Sequence, residues 1–302
     1  MAVDRWRSPP MVELRRSPRG RSLVGRIKLS GRAIDHVVVA VRDLDRAGGV
    51  YQELGFTLTP RAAHDDRMGT SNRLAQFAGK NFIELLEVDR PDRLVRHDFE
   101  TSPPIFSFGD HNRRAVRERD GLSMMVFKGD DARSDISSFA AAGLATFAPF
   151  DFERVAKMPD GTEATVAFSL AFAQSPDMPR VAFFVCENRA QNHFWKPEYQ
   201  SHLNGATGIV AVYLSSPDPE RDAAFVSKMF GGKVSAIAGG CSVACGPAQE
   251  LRLLTPQATA AIGGSIDIAG PILAGVAIAA KQRQGLTKAE AACGMFIEWI
   301  SP

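Results

Sequence analysis

Two residues carry the first chemical signal in this chain, His36 and Glu84. His36 lies in the apolar run Ile34-Asp35-His36-Val37, and Glu84 lies in Phe82-Ile83-Glu84-Leu85. In a strand, Glu84 falls on the same side as Phe82 and Leu86, so burying that face takes a carboxylate out of water unless it is paired or bound to a metal. Glu87 falls on the opposite side, toward solvent. An imidazole and a carboxylate together suit a divalent ion such as Zn, Fe, Mn or Ni. The plain alternative for His36 is a core histidine satisfied by one hydrogen bond.

Other polar groups add detail. Asn72 and Arg73 are neighbours on a later strand, so one of them can turn inward. Arg73 either pairs with Glu84, holds an anionic substrate group, or stands on the outer face. The run His193, Trp195, Lys196, Glu198, Tyr199, His202, Asn204 is dense in groups able to move protons, and His193 and Tyr199 join Glu84 as catalytic candidates. Its alternative reading is a structured linker whose aromatic residues pack two halves together. His64, His97 and His111 lie in polar stretches and read as solvated. No P-loop, glycine-rich dinucleotide fingerprint or nucleophile elbow is present.

The elements that must position these residues recur along the chain. The clearest copy runs AIDHVVVAV (33–41), RDLDRAGGVYQELGF (42–56), TSNRLAQFAG (70–79) and NFIELLEV (81–88). A second begins at GLSMMVFKGDD (121–131) and closes with EATVAFSLAFA and RVAFFVCE, and a third begins at ATGIVAVYL (206–214). GPILAGVAIAA and CGMFIEWISP are a fragment of a fourth, without its middle strands. Each unit reads β-α-β-β-β, with apolar strands separated by Gly and Pro punctuation. The third unit's helix is expected to start at Ser216-Pro217, with Asp218 and Glu220 in its first turn. Such a unit cannot bury its own sheet face, so the copies must pair, with a ligand site where they meet.

The β-α-β-β-β unit, with IDHVVVAV, MGTSNRLAQF and NFIELLEV, resembles the vicinal oxygen chelate superfamily. The Gly-Thr-x-Asn-Arg step and the connection QNHFWKPEYQSHLNGATGI (191–209) are similar to its glyoxalase-like branch. The resemblance implies an α+β fold of repeated units paired into open cup-shaped barrels. Its domains are then 33–187, from units 33–90 and 121–187, a connection 188–205, and a smaller cup 206–302 whose last unit is incomplete. The resemblance also implies metal ligands from the first and last strands of paired units, hence His36 and Glu84. In the second unit, Ser123 and Phe184 are expected at the matching positions, and with Asn72 and Arg73 they form the substrate-binding set. In the third unit Gly208 takes the histidine position, with Glu250 or Arg252 near the carboxylate position; the fourth offers Gly275 and Glu298. Two function classes stay open: a divalent-metal-dependent lyase, isomerase or dioxygenase acting on vicinal oxygens, and a binding protein that sequesters or senses a small molecule.

Composition sets the outer bounds. Of 302 residues, 45% are hydrophobic and 23% charged, enough for sizeable cores. No apolar run approaches the roughly 20 residues of a membrane span. Cys186, Cys241, Cys245 and Cys293 show no disulfide framework, and on a strand Cys241 and Cys245 stand about 13 Å apart, too far to share an ion. Residues 1–30 carry a charge of +6 while the whole chain carries +2, so the body is acidic and not a nucleic-acid surface. Residues 1–32 read as a disordered basic leader. A cytoplasmic location, a small-molecule ligand, no nucleic acid, no membrane and a homodimer complete the expectations.

Overall fold

A computed structural model describes residues 31–157, 161–264 and 268–302; the basic leader falls almost wholly outside these residues. The first unit comprises β1 (Ile34–Ala40), α1 (Leu44–Glu53), β2 (Ala62–Ala63), β3 (Ser71–Gln76) and β4 (Phe82–Glu87). After α2 (Phe108–Glu118), the second unit follows as β5 (Gly121–Gly129), α3 (Ala132–Ala141), β6 (Phe150–Lys157), β7 (Glu163–Ala173) and β8 (Ala182–Asn188). The connection holds α4 (Gln191–Phe194). The third unit is β9 (Ala206–Ser215), α5 (Pro219–Phe230), β10 (Val234–Ile237), β11 (Gly240–Ala244) and β12 (Glu250–Leu254). After α6 (Pro256–Gly263) come β13 (Ile272–Ala280), β14 (Gly285–Thr287) and β15 (Phe296–Ile300). The last unit therefore keeps one short middle strand, where the sequence suggests none.

The strands form two sheets, ordered β2-β3-β4-β1-β5-β8-β7-β6 and β10-β11-β12-β9-β13-β15-β14. In each, two units join through the antiparallel pairing of their first strands, β1 with β5 and β9 with β13. The helices of the units start on side-chain caps: Asp43 accepts from Asp45 and Arg46 amides, and Asp131 from Arg133 and Ser134 amides. The third-unit helix starts two residues later than Ser216-Pro217. Asp218 is its cap and Pro219 its first residue, while Ser216 Oγ donates to buried Asp222 Oδ2 at 2.6 Å. The later Asp-Pro pair satisfies a helix amide and leaves Ser216 to a carboxylate.

One core joins the two sheets. It gathers Ile34, Val37 and Val39 from β1, Tyr51 from α1, Phe139 from α3, Val226 from α5, Val212 and Leu214 from β9, and Val276 and Ile278 from β13. The helix-bearing faces are thus turned toward each other, and the concave faces look outward. Each fully buried aliphatic side chain stabilises by roughly 1.5–3 kcal/mol, so this shared core binds the halves firmly. The connection adds polar staples: His202 Nε2 donates to Gln76 O (2.7 Å), its Nδ1 accepts from Thr57 N (3.0 Å), and Asn204 Nδ2 donates to Leu54 O (2.9 Å).

The helices that link units within each half, α2 and α6, lie in the cups. Phe108 of α2 packs with Val38, Met124 and Phe184 on the first concave face. Ala258 and Ile262 of α6 pack with Ala211, Tyr213, Ala277 and Phe296 on the second.

Candidate functional site

The first cup retains a cavity of about 50 Å³ whose walls bring together Asp35, His36, His64, Asn72 and Glu84. Six phenylalanines, Phe82, Phe108, Phe152, Phe168, Phe184 and Phe194, complete most of the lining. β1 and β4 are parallel, with His36 beside Phe82 and Val38 beside Glu84. Alternation along both strands therefore delivers the imidazole and the carboxylate to one face.

Hydrogen bonds fix which atoms remain available. His36 Nδ1 lies 2.7 Å from Asp35 Oδ2; a carboxylate accepts, so Nδ1 carries the proton. Nε2 of the neutral ring is then a bare lone pair, and it stands 3.6 Å from Glu84 Oε2. The ring is clamped in this pose by stacking on Phe82 at 4.3 Å and by the edge contact with Phe184 at 5.6 Å.

The other carboxylate oxygen has protein partners. Asn72 Nδ2 donates to Glu84 Oε1 at 2.7 Å and lies 3.0 Å from His64 Nε2. The amide nitrogen only donates, so it spends one hydrogen on each, and His64 Nε2 is an acceptor. His64 Nδ1 then donates to Thr70 Oγ1 at 2.8 Å. His64 Nε2 also lies 3.3 Å from Glu84 Oε1. Burial alone would raise the Glu84 carboxyl, but hydrogen bonding and charge from His64 and charge from His36, each in its protonated form, together with the Asn72 amide, outweigh it and hold the group below the ordinary carboxylate range. Glu84 is thus an ionised, buried acceptor.

The Gly-Thr-x-Asn-Arg step builds this arrangement residue by residue. Gly69 turns at φ +64°, and a Cβ there would meet Arg90 O at 2.6 Å, so only glycine closes the turn against Arg90. Thr70 receives His64, Asn72 receives Glu84, and Arg90 Nη2 holds Thr70 O at 2.7 Å. Gly109 opens α2 in the same manner, since a Cβ there would lie 2.0 Å from Met68 O.

Several sequence expectations are relocated. Arg73 points out of the cup: Asn72 and Leu74 occupy the inner face of β3, and Arg73 pairs with Asp45 at 2.9 Å. Ser123 does not match His36. Val126 pairs with Phe184 as Val38 pairs with Glu84, so the second-unit counterpart of His36 is Met124, one residue on. Ser123 sits at the bulge beside Val38 and Val39, donating to Asn112 Oδ1 at 2.6 Å, and does not line the cavity. Phe184 does line it, at the position of a second carboxylate. His193 is exposed and Tyr199 half-buried, and neither reaches the cavity; Phe194 between them does.

His64, His97 and His111 are not solvated. Their side chains are inside, with His64 in the site itself. In the second cup Ala211, not Gly208, matches His36, because Tyr213 lies opposite Arg252 on the inner face. There Gly275 and Glu298 match His36 and Glu84 as the sequence suggests, since Ala277 lies opposite Glu298. Tyr213 hydroxyl donates to Glu298 Oε2 and accepts from Arg252 Nη1 at 2.5 Å, and Arg252 Nε donates to Glu250 Oε1 at 2.6 Å. These groups satisfy one another.

Among the described residues no group of three or more His, Cys, Asp or Glu is disposed to hold a metal ion. The donor pair His36 Nε2 and Glu84 Oε2 does fit one. Their 3.6 Å separation is within the roughly 4.2 Å that two bonds of about 2.1 Å can span, and two facing lone pairs repel unless a cation or a proton lies between them. Asp35 behind His36 is the carboxylate that orients metal-binding imidazoles. All four cysteines are free, and no helix among the described residues is long and apolar enough to cross a membrane.

Paired β-α-β-β-β units around an inward His and Glu define a protein of the vicinal oxygen chelate class. A family model described as a glyoxalase-like domain matches residues 34–230, and the chain belongs to that family. A hypothetical protein from Staphylococcus aureus has the same fold, with a TM-score of 0.65 at 15% identity over 89% of this chain and 99% of that one. The Mn(II)-bound glyoxalase from Novosphingobium aromaticivorans aligns at TM-score 0.48 and 16% identity, over 90% of this chain and 83% of that one. A Streptomyces coelicolor methylmalonyl-CoA epimerase in complex with 2-nitronate-propionyl-CoA aligns at 0.36 and 17%, over 53% of this chain and 97% of that one. No curated protein matches the sequence.

Proposed function

We propose that the first cup is the active site of a glyoxalase-like enzyme that takes a small molecule bearing adjacent oxygens, with a divalent ion held by His36 and Glu84. The observation that carries this reading is the pair of unshared acceptors, His36 Nε2 and Glu84 Oε2, facing each other in an apolar cavity. The ion would act as a Lewis acid on a substrate oxygen. Asp35 keeps His36 in the Nε2-acceptor tautomer, and Asn72 occupies Glu84 Oε1 so that Oε2 alone is presented. The phenylalanine walls exclude water and strengthen every charge interaction inside.

At about 50 Å³ the cavity holds only a few waters, at about 10–15 Å³ each. Substrate entry therefore requires lining side chains to move, and Phe194, on the short helix α4, is the one lining phenylalanine that is only partly buried. Elemental analysis of untagged protein purified without chelator tests the reading: about one equivalent of divalent metal supports it, and metal-free protein that also fails to take up Zn or Mn on titration rejects it.

The second reading, a binding protein, is favoured by the apolar counterpart positions Met124 and Phe184 and by the absence of a third ligand among the described residues. A bound organic molecule in metal-free protein would select it.

A further inference from the structure

A second cavity, of about 390 Å³, lies at the seam of the two halves, against the other part of α2. His97, Phe99, His111, Arg114 and Arg119 line it from the first half, and Ile268 and Ile272 from the second. Its volume falls in the roughly 300–1,000 Å³ range of small-molecule sites.

Its arginines outnumber their carboxylates. Arg114 pairs with buried Asp110 at 2.9 Å, and Arg180, also in the lining, pairs with Glu118 at 2.7 Å. Arg119 has no carboxylate within ion-pair distance among the described residues. Its Nη1 donates to Asp120 O (3.2 Å) and Gly294 O (2.7 Å), and its Nη2 to Leu273 O (3.0 Å). Those bonds use three of the five guanidinium hydrogens, leaving one on Nη2 and one on Nε without a protein acceptor. Its direct partners are neutral carbonyls; burial makes its charge costly, and the Glu118 and Asp120 carboxylates, beyond ion-pair distance, offset only part of that cost.

Beside it stands an aromatic wall. His97 Nδ1 accepts from Ser107 N at 3.0 Å, so its Nε2 carries the proton, and its ring stacks on half-exposed Phe99 at 5.1 Å. Leu122 and Ile272 add aliphatic surface.

We propose that this seam cavity binds a small organic anion: a carboxylate or phosphate head on the spare Arg119 donors with Arg114 nearby, and a flat apolar body against Phe99, Leu122 and Ile272. The site is separate from the His36 centre and does not depend on the function proposed for it.

The test is calorimetric titration of the full chain with benzoate, phenyl phosphate and, as the uncharged control, benzyl alcohol. We expect one equivalent of at least one of the two anions to bind at submillimolar concentration, the stronger of them naming the head group, with no heat from the alcohol. Ala115→Trp, which fills the cavity, and the surface charge reversal Arg114→Glu should each weaken binding by about tenfold or more, whereas Glu84→Gln should not change it. The proposal is overturned if neither anion binds at millimolar concentration, if the alcohol binds as well as the anions, if Arg114→Glu leaves affinity unaltered, or if Glu84→Gln abolishes binding and so moves the anion to the first cup.

Discussion

Asn72 Nδ2 lies 2.7 Å from Glu84 Oε1 and commits its second hydrogen to His64 Nε2 at 3.0 Å, so one amide settles the roles of two neighbours. Asn72→Ala should leave a buried carboxylate oxygen and a buried imidazole nitrogen each short of a donor. We expect a loss of about 1–3 kcal/mol in denaturant unfolding. Asn72→Asp should cost more, because it places a second carboxylate against Glu84.

His36→Ala and Glu84→Gln should each lower divalent-metal affinity by at least about tenfold, while circular dichroism stays that of the parent. Titration with Zn or Mn followed by calorimetry reads this directly. Unchanged affinity in both variants would falsify the assignment of the pair as ligands.

Stability should fall as pH drops from about 6.5 toward about 4. Burial lowers His97 and His111 from 6.5 to about 4, His97 further by the Arg114 charge. Each histidine is protonated more readily unfolded than folded, so its contribution is complete above 6.5 and is lost as pH falls through that window, by up to about 1.4 kcal/mol per pH unit. His111→Gln should flatten the slope of unfolding free energy against pH; a slope equal to the parent's would contradict this origin.

Gly69→Ala should destabilise by about 1–3 kcal/mol, since it adds a Cβ at φ +64° only 2.6 Å from Arg90 O. The same change shifts Thr70 and so loosens His64. Its expected signature is a stability loss together with weakened metal uptake, whereas Arg73→Ala, on the outer face, should leave uptake intact.

The fold and half of the centre were legible in the sequence for a shared reason. His36, Asn72 and Glu84 lie in strands whose alternation says which side is buried, and the repeat says which strands pair. His64 was not legible, because it precedes a polar turn, Asp65-Asp66-Arg67, that looks solvated. The signal lay across the hairpin: Ala62 pairs with Asn72, which brings His64 N to Thr70 O at 2.9 Å. Ser123 was misplaced by one residue: a bulge precedes His36 in β1 and Met124 in β5 alike, so Ser123 is the counterpart of Asp35, an offset that the local sequence does not reveal. His193 and Tyr199 were drawn in by composition alone, yet the connection that carries them uses His202 and Asn204 as staples and contributes only Phe194 to the cavity.

The second cup matches the first in register, yet Phe296 packs on Gly275 where Phe82 stacks on His36, and α6 takes up its concave face. There the chain serves as its own occupant, and Glu298 is already engaged by Tyr213. Among the described residues the duplicated architecture therefore carries a single centre of the His36 type, so metal titration should saturate at one equivalent per chain, and an inhibitor of that centre should show a non-cooperative, one-site isotherm in the monomer.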